Sequence, residues 1–369
     1  MADLIIFVDS LRYDSPLAER LVGTGLVRRR YIPPLGYSAN ILPLLYRGCT
    51  PDELGFYNEY GVSDHDRHLW TRRLDGAVRA LSRVPVLRKV AYRGFGFVGI
   101  DAANIPPRLL PYFAKHSTSA YALGEENASV FDRHSVAVLL GSRMRAAPPR
   151  RDVVALRRAE AAVDTNHRLY VSLSDLDSVS HEWGLESSEY ERHEDLLYEG
   201  IQRLVTRFRS RHGEGGAVVI HSDHGMAPVE RTIDLDLEAR LGPAGRATYL
   251  YFLDSTMLRV WFHEPALESE LRVLLGELGD AGTFVTDAER RQWGLSSRRS
   301  GDLIYVLREG LIFEPNFIGR GVPAAMHGYH PRHESQHAVL LTDAPEHLPP
   351  DPLEGAALHE TLQRILGRD

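Results

Sequence analysis

Short apolar runs separated by helical patterns predict a buried, mostly parallel β-sheet. The apolar residues of these runs are nearly continuous, as in strands that are covered on both faces, and do not alternate as in a half-solvated sheet. The clearest predicted strands are Leu4–Val8, Leu169–Leu173 and Ala217–His221. Apolar residues at helical spacing predict one helix over Val153–Arg168 and a longer one that begins near Ser188 and ends at Gly213. The order of strand, helix and strand indicates parallel crossovers.

A carboxylate follows each of these three strands. Asp9 follows the first strand, Asp177 the second and Asp223 the third. His181 lies four residues after Asp177, and His224 directly follows Asp223. Carboxylate oxygens and neutral imidazoles are good zinc ligands, and the carboxyl ends of parallel strands form the ligand crevice of an open α/β sheet. Each residue also has an ordinary explanation: Asp9, Asp223 and His224 as turn or cap residues, and Asp177 and His181 as part of a polar loop in which His181 only forms a hydrogen bond.

Ser38 lies at the start of another predicted helix. A proline- and glycine-containing loop precedes it, and the apolar run Ala39–Tyr46 follows and ends before Gly48. A serine in this position is commonly an N-cap. The alternative is a nucleophile toward phosphate, because backbone N–H groups and the helix dipole favour an anion there.

The second half of the chain contains an insertion, which we expect to form a small α/β cap subdomain over residues 230–321. Its predicted elements are the strands Tyr249–Leu253, Met257–Phe262 and Leu303–Leu307 and the helix Pro265–Leu278. Residues 1–229 and 322–369 would form the catalytic core, with part of residues 60–151 as a lid. Within that stretch we predict a helix near Trp70–Tyr92, a strand at Gly94–Ile100 and an exposed connection at Arg143–Arg151.

Composition narrows the class of protein. The 369 residues are 43% hydrophobic and 25% charged, as in a globular protein. The net charge of −7 disfavours dedicated nucleic-acid binding, and no apolar run approaches the roughly 18 to 20 residues of a membrane span. The single cysteine, Cys49, cannot form an intrachain disulfide, and no signal-peptide pattern opens the sequence. We therefore expect a cytoplasmic protein.

Histidines concentrate near the C-terminus. His327, His330, His333 and His337 fall within eleven residues. Pro331 argues against one helical face, so one metal ligand and several bystanders are expected.

Taken together, these motifs resemble the alkaline phosphatase superfamily, and most of all its type I phosphodiesterase / nucleotide pyrophosphatase branch. The resemblance spans nearly the whole chain, although residues 60–151 carry little of it. The motifs that carry it, in chain order, are Asp9; Ser38 with Gly48-Cys49-Thr50-Pro51 and Gly55; Asp177 with His181 and Gly184; Ser222-Asp223-His224-Gly225-Met226; and His327-Gly328-Tyr329.

The resemblance implies a three-layer α/β sandwich, in which helices flank a central, mostly parallel sheet, and a site with two zinc ions, with manganese as the alternative metal. It assigns Asp177, His181 and His327 to one ion and Asp9, Asp223 and His224 to the other. Ser38, at the second ion, would be the nucleophile and would form a phosphoryl-serine intermediate.

Several positions depart from the family pattern. The nucleophile of this branch is usually threonine. Asn58 lies one residue out of register with the asparagine that binds a phosphoryl oxygen, and Asn40 is a weaker candidate for that role. His330 stands where the family often has aspartate, and Asp175 competes with Asp177 as a ligand. The sulfatase branch is disfavoured, because Asn40 and Leu42 occupy the positions where it has proline and arginine.

The resemblance implies a hydrolase of phosphoesters, a phosphodiesterase or nucleotide pyrophosphatase whose substrate is a small-molecule phosphoester or nucleotide. A phosphomonoesterase, phosphonate hydrolase or phosphoryl transferase on the same scaffold is the alternative. A non-catalytic binding protein is disfavoured, because clustered carboxylates are costly to retain without a cation.

Overall fold

The computed structural model describes residues 1–55, 57–65, 69–74, 76–77, 104–115, 129–213, 215–319 and 321–368. They form two compact units, of which the first falls within 1–50, 118–228 and 323–369 and the second within 51–117 and 229–322. The predicted strand at Gly94–Ile100 and most of the predicted helix near Trp70–Tyr92 lie outside the described residues. The described start of that stretch, Leu69–Leu74, is a 3-10 helix.

A central sheet of seven described strands organises the first unit. In chain order the strands are β1 (Asp3–Val8), β2 (Val27–Ile32), β3 (Ala137–Leu140), β4 (Arg168–Leu173), β5 (Ala217–His221), β6 (Ala338–Thr342) and β7 (Leu353–Glu354). Their order across the sheet is β7-β2-β6-β5-β1-β4-β3. The strand β6 is antiparallel to both of its neighbours, and the other described pairings are parallel. The sequence-based prediction of a mostly parallel sheet is therefore confirmed.

Seven helices of the described first unit cover the sheet. They are α1 (Pro16–Val22), α2 (Ser38–Arg47), α3 (Val130–Arg133), α4 (Arg151–Ala162), α5 (Asp175–Trp183), α6 (Ser188–His212) and α7 (Ala357–Leu366). The core lies on both faces of the sheet: Leu4, Ile6 and Val8 of β1 pack in one cluster with α1, α4, α5 and α6. Ile5 and Phe7 pack in another with α2, α3 and α7. This alternation produces the three predicted layers.

Several predicted boundaries shift when local capping is considered. Ser187, and not Ser188, accepts the Tyr190 N–H and caps α6, which ends at Gly213 as predicted. The predicted helix Val153–Arg168 is observed as α4 and ends at Ala162, since Arg168 already begins β4. The prediction of Arg143–Arg151 as an exposed connection is wrong for Arg151, which opens α4 and binds Asp175.

The second unit has its own sheet and core. A sheet in the order Tyr249–Leu253, Met257–Phe262, Leu303–Leu307 and Gly282–Phe284 is antiparallel throughout. Its described residues also form two short strand pairs, Tyr60–Val62 with Phe113–Lys115 and Arg231–Ile233 with Leu311–Phe313. Its α-helices among the described residues are Pro51–Leu54, Leu237–Leu241, Ala266–Gly276 and Asp287–Gln292. This unit contains the described residues of the predicted insertion, and it also contains the described residues of 51–117.

An ion pair lies inside the core of the second unit. Arg259 and Asp254 are both fully buried, and Arg259 Nε donates to Asp254 Oδ2 over 3.1 Å. Burial raises the pKa of Asp254 to about 6, against the opposing charge of Arg259.

No helix among the residues described is long and apolar enough to cross a membrane.

Candidate metal centre

Three adjacent strands of the first unit deliver the predicted ligands to one end of the sheet. β1 lies between β5 and β4, and all three run in the same direction. Asp9 follows β1, Asp223 and His224 follow β5, and α5, which follows β4, carries Asp177 and His181. His327 follows Ala325–Met326, a short strand paired with Ala227–Pro228 just beyond the β5 turn. The fold thus brings the six candidate ligands together at one site.

Distances show how closely the side chains approach. Ligand atoms of Asp9, Asp223 and His224 all lie within 4.8 Å of one another, as do those of Asp177, His224 and His327. His181 Nε2 lies 3.3 Å from Asp177 Oδ1. The rings of His224 and His327 stack with centroids 3.7 Å apart, so distance alone places His224 with either set.

Hydrogen bonds to the backbone orient two of the imidazoles. His181 Nδ1 lies 2.7 Å from the Ala325 carbonyl, and His224 Nδ1 lies 2.9 Å from the Gly225 carbonyl. A carbonyl only accepts, so each Nδ1 carries a proton, and in the neutral ring each Nε2 presents a lone pair. Backbone carbonyls orient metal-binding histidines in this manner.

The charges of the cluster are poorly balanced without a cation. Burial, and then the charges of Asp223 and Asp177, raise the pKa of Asp9 well above its usual value. Burial opposes ionisation of Asp177, but the neighbouring histidines, led by His181, outweigh it and lower its pKa. Burial, and then the charge of His224, lower the pKa of His327.

Unsatisfied polar atoms test whether the residues fit a metal ion. Asp9 Oδ1, Asp177 Oδ1, Asp223 Oδ2 and His327 Nδ1 are buried and have no hydrogen-bond partner among the described residues. Such atoms are costly unless something binds them. Oxygen and nitrogen donors clustered at this range suit a divalent transition metal, and the residues therefore fit such an ion.

Ser38 joins this cluster. Tyr37, and not Ser38, is the N-cap of α2, and Ser38 is its first helical residue. Ser38 Oγ lies 3.0 Å from Nε2 of His224. Because His224 Nδ1 carries the proton, the serine hydroxyl donates this bond. The N-cap explanation of Ser38 is therefore wrong, and its hydroxyl is available beside the metal-ligand cluster.

Asn40, one of the predicted substrate-binding residues, is occupied by the loop before Ser38. It is 1% exposed; its Oδ1 accepts the Tyr37 N–H at 2.8 Å, and its Nδ2 donates to the Leu35 carbonyl at 3.1 Å. A Cβ at Gly36 would lie 1.9 Å from Asn40 Oδ1, so this turn requires glycine. Asn40 thus shapes the loop that presents the serine.

The other two predicted substrate-binding residues lie in different units. Asn58 belongs to the second unit, where its buried Nδ2 donates to Asp254 Oδ1 over 2.7 Å. His330 belongs to the first unit, is nearly buried, and accepts the Arg332 N–H at Nδ1. The substrate-binding role of both residues stays a prediction.

Asp175 is held away from the ligand role. It is fully buried and accepts hydrogen bonds from Arg151 Nε and the Asp152 N–H. Asp177, two residues later, is the carboxylate that meets the histidines. Spacing to His181 favours Asp177 as the ligand, and its role as a metal ligand stays a prediction.

Several residues support the site through distant contacts that sequence reasoning did not predict. The Ser222 hydroxyl accepts the Leu11 N–H at 2.9 Å and ties the turn after β1 to the turn after β5. Gln336 Oε1 accepts the N–H groups of Gly328 and Tyr329 and holds the turn after His327. The ring of Tyr37 packs edge-on against the ring of His327, with the ring centroids 5.5 Å apart. The separation of these partners along the chain left no local sequence signal.

Comparisons with solved structures show a shared fold. Murine ectonucleotide pyrophosphatase / phosphodiesterase 5, an inactive variant in complex with AMP, aligns over 100% of this chain and 96% of its own at 14% identity, with a TM-score of 0.62. The human counterpart also aligns over 100% of this chain and 96% of its own, at 13% identity and with a TM-score of 0.64. Phosphonoacetate hydrolase from Sinorhizobium meliloti 1021, in complex with phosphonoformate, aligns over 99% of this chain and 96% of its own. The identity is 12% and the TM-score is 0.65. No curated protein matches the sequence significantly.

The fold and the clustered candidate ligands are those of the alkaline phosphatase superfamily. The model of the family described as type I phosphodiesterase / nucleotide pyrophosphatase matches residues 48–330. The chain belongs to this family. It is therefore a metal-dependent phosphoric ester hydrolase.

Proposed function

We propose that the protein is a phosphodiesterase or nucleotide pyrophosphatase that uses Ser38 as its nucleophile at a centre of two zinc ions. The observation that carries the proposal is the position of Ser38 Oγ, 3.0 Å from Nε2 of a histidine in the ligand cluster. Membership of the family supports the reaction class. The AMP complex of the murine relative supports a nucleotide as substrate or product.

Each proposed ion has three ligands from this chain. Asp177, His181 and His327 would hold one ion, and Asp9, Asp223 and His224 would hold the other. When bound, the two ions would supply the positive charge that stabilises the attacking and leaving oxygens of an in-line displacement.

The chain's own residues perform the bond changes and the positioning. Ser38 Oγ forms a bond to phosphorus while the bond from phosphorus to the leaving-group oxygen breaks, and the hydroxyl proton passes to solvent. Water then cleaves the Oγ–phosphorus bond and a proton returns to Ser38. The N-terminus of α2 favours the negative charge of the phosphoryl group, and Asn40 keeps the loop before Ser38 in place.

A comparison of two esters with one leaving group tests this proposal. We expect the zinc-loaded protein to hydrolyse bis-p-nitrophenyl phosphate faster than p-nitrophenyl phosphate, and Ser38→Ala to lower kcat by at least about 10³-fold. Asp223→Asn, which weakens a ligand, should also abolish the diester activity. Ser188→Ala and Asp195→Asn, at exposed positions of α6, are matched controls and should leave the activity unchanged.

The outcomes separate the candidate functions. A monoester preference would favour the phosphomonoesterase alternative. Diester hydrolysis that survives in Ser38→Ala would contradict the covalent mechanism, whichever ester is preferred.

A further inference from the structure

Two buried carboxylates outside the ligand cluster join the first turns of α4 and α5. Asp175 Oδ2 accepts the Asp152 N–H at 3.1 Å, and Asp152 Oδ2 accepts the Asp175 N–H at 3.1 Å. Asp152 Oδ1 also accepts the Ser174 N–H at 2.8 Å. Each carboxylate therefore caps the helix that carries the other, where the helix dipole favours negative charge.

Two basic residues accompany this pair. Arg151 Nε donates to Asp175 Oδ1 over 2.6 Å, and His193 Nε2 lies 3.1 Å from Asp152 Oδ2. Asp152 and Asp175 are fully buried, and His193 is 3% exposed. Two carboxylates with no access to water are expensive to desolvate, and buried ion pairs are often no more stabilising than apolar residues of the same size. A role beyond stability explains their presence better.

The helix that these residues hold is the one that carries two proposed ligands. Asp177 lies two residues after Asp175, and Arg151 Nη2 donates to Ser178 Oγ at 3.1 Å between the two ligands. At the other end of α5, the His181 carbonyl accepts the Ala324 N–H at 2.8 Å. The helix is therefore fixed at both ends, and a shift of its first turn would move Asp177 relative to His181.

We propose that Arg151, Asp152, Asp175 and His193 are positioning residues that hold Asp177 and His181 in the orientation that binds one divalent metal ion. This inference rests on the proposed two-ion centre. It assigns no contact with the metal to the four residues, and they act through the backbone of α5. Their loss should weaken one metal site and leave the Asp9, Asp223 and His224 site intact.

Competition between the protein and a chromogenic chelator for zinc ions tests the inference without an activity assay. We expect wild type to bind two zinc ions, and Asp175→Asn to weaken one of the two binding steps on the order of 10-fold while the other is unchanged. Asp175→Asn keeps the size of the side chain and removes the charge that pairs with Arg151. We do not substitute Asp152 in this test, because its charge also acts on Asp9 of the other ligand set.

A second pair of variants guards against a misfolded Asp175→Asn protein. His193→Leu removes the partner of Asp152 and should weaken the same step, whereas His193→Gln can still donate a hydrogen bond to Asp152 and should restore most of the affinity. Rescue by the amide would separate positioning from a general loss of stability.

The neighbouring residue Glu194 supplies a matched control. It follows His193 on α6 and is 4% exposed. Its carboxylate accepts the Leu17 N–H at 3.3 Å in the first turn of α1, a helix that carries no proposed ligand. Glu194→Ala should lower stability and leave both zinc steps unchanged.

Three results would overturn the inference. Unchanged zinc steps in a folded Asp175→Asn or His193→Leu protein would show that the network does not act on the site. Equal weakening of both steps, with the same effect in Glu194→Ala, would reduce the network to a structural role. A wild type that binds fewer than two zinc ions would overturn the proposed centre itself, and this inference with it.

Discussion

The turn after β5 has no room for a side chain at Gly225, and Gly225→Ala should therefore damage the candidate site. A Cβ at this position would lie 2.0 Å from the Ser335 carbonyl oxygen, whereas real Cβ atoms essentially never approach closer than 3.0 Å. The two chain segments would have to separate by about 1 Å, a distance that close-packed backbone does not absorb without strain. Asp223 and His224 lie directly before this turn.

The expected cost follows from the contacts that join the two segments. The Gly225 N–H donates to the Gln336 carbonyl over 2.9 Å, and the Met226 N–H donates to the Ser335 carbonyl over 2.8 Å. Loss of each bond costs about 0.5–1.5 kcal/mol, and strain from overpacking adds about 1–3 kcal/mol. We expect Gly225→Ala to lower the free energy of unfolding by about 2–6 kcal/mol and to weaken zinc binding.

Urea denaturation followed by far-UV circular dichroism, together with zinc competition, measures both effects. Gly215→Ala is the matched control, since a Cβ there meets no heavy atom within 4 Å. It should change stability by less than about 0.5 kcal/mol. A Gly225→Ala protein with the stability and zinc affinity of wild type would refute the reasoning.

Three further variants test other parts of the structure. Asn40→Ala should lower kcat with little change in KM and reduce stability by about 1–3 kcal/mol, because it removes the hydrogen bonds from Asn40 to the Tyr37 N–H and the Leu35 carbonyl in the loop before Ser38. A change confined to KM would instead favour direct substrate binding. Arg259→Met should destabilise the protein by about 3–5 kcal/mol at pH 8, because the buried carboxylate of Asp254 loses its charged partner. The cost should be smaller at pH 5, where that carboxylate can take up a proton. An equal loss of stability in urea denaturation at both pH values would contradict this. Burial raises the pKa of Glu194 to about 7 from an ordinary value of 4.5, so its contribution to stability is present below pH 4.5 and is lost as the pH rises through 7. Glu194→Gln should therefore be more stable than wild type at pH 8, by at most about 3 kcal/mol, and nearly equal to it at pH 4.5; identical pH profiles of thermal unfolding would show that the carboxylate is not perturbed.

Local pattern was sufficient to predict the central strands and the residues that follow them. Continuous apolar runs identified β1, β4 and β5, because strands buried on both faces cannot alternate with polar residues. Asp9, Asp177 and Asp223 were found by their position after these strands.

Contacts between distant residues were the part that local pattern could not predict. Asp152 and Asp175 lie 23 residues apart and cap each other's helices, and nothing near Arg151 in sequence distinguishes it from a solvated arginine. The described residues of 51–117 belong to the second unit because they share its core, in which Tyr60 and Phe113 pack with Phe252. Such packing is a property of the folded chain and has no local sequence period.

The stereochemical course at phosphorus tests most directly whether Ser38 forms a covalent intermediate. A single enantiomer of a phosphorothioate diester would be hydrolysed in isotopically labelled water, and the configuration of the product would be determined. Two in-line displacements, first by Ser38 Oγ and then by water, each invert the phosphorus centre, so we expect net retention. Net inversion would show that water attacks the substrate directly and would contradict the assignment of Ser38 as the nucleophile.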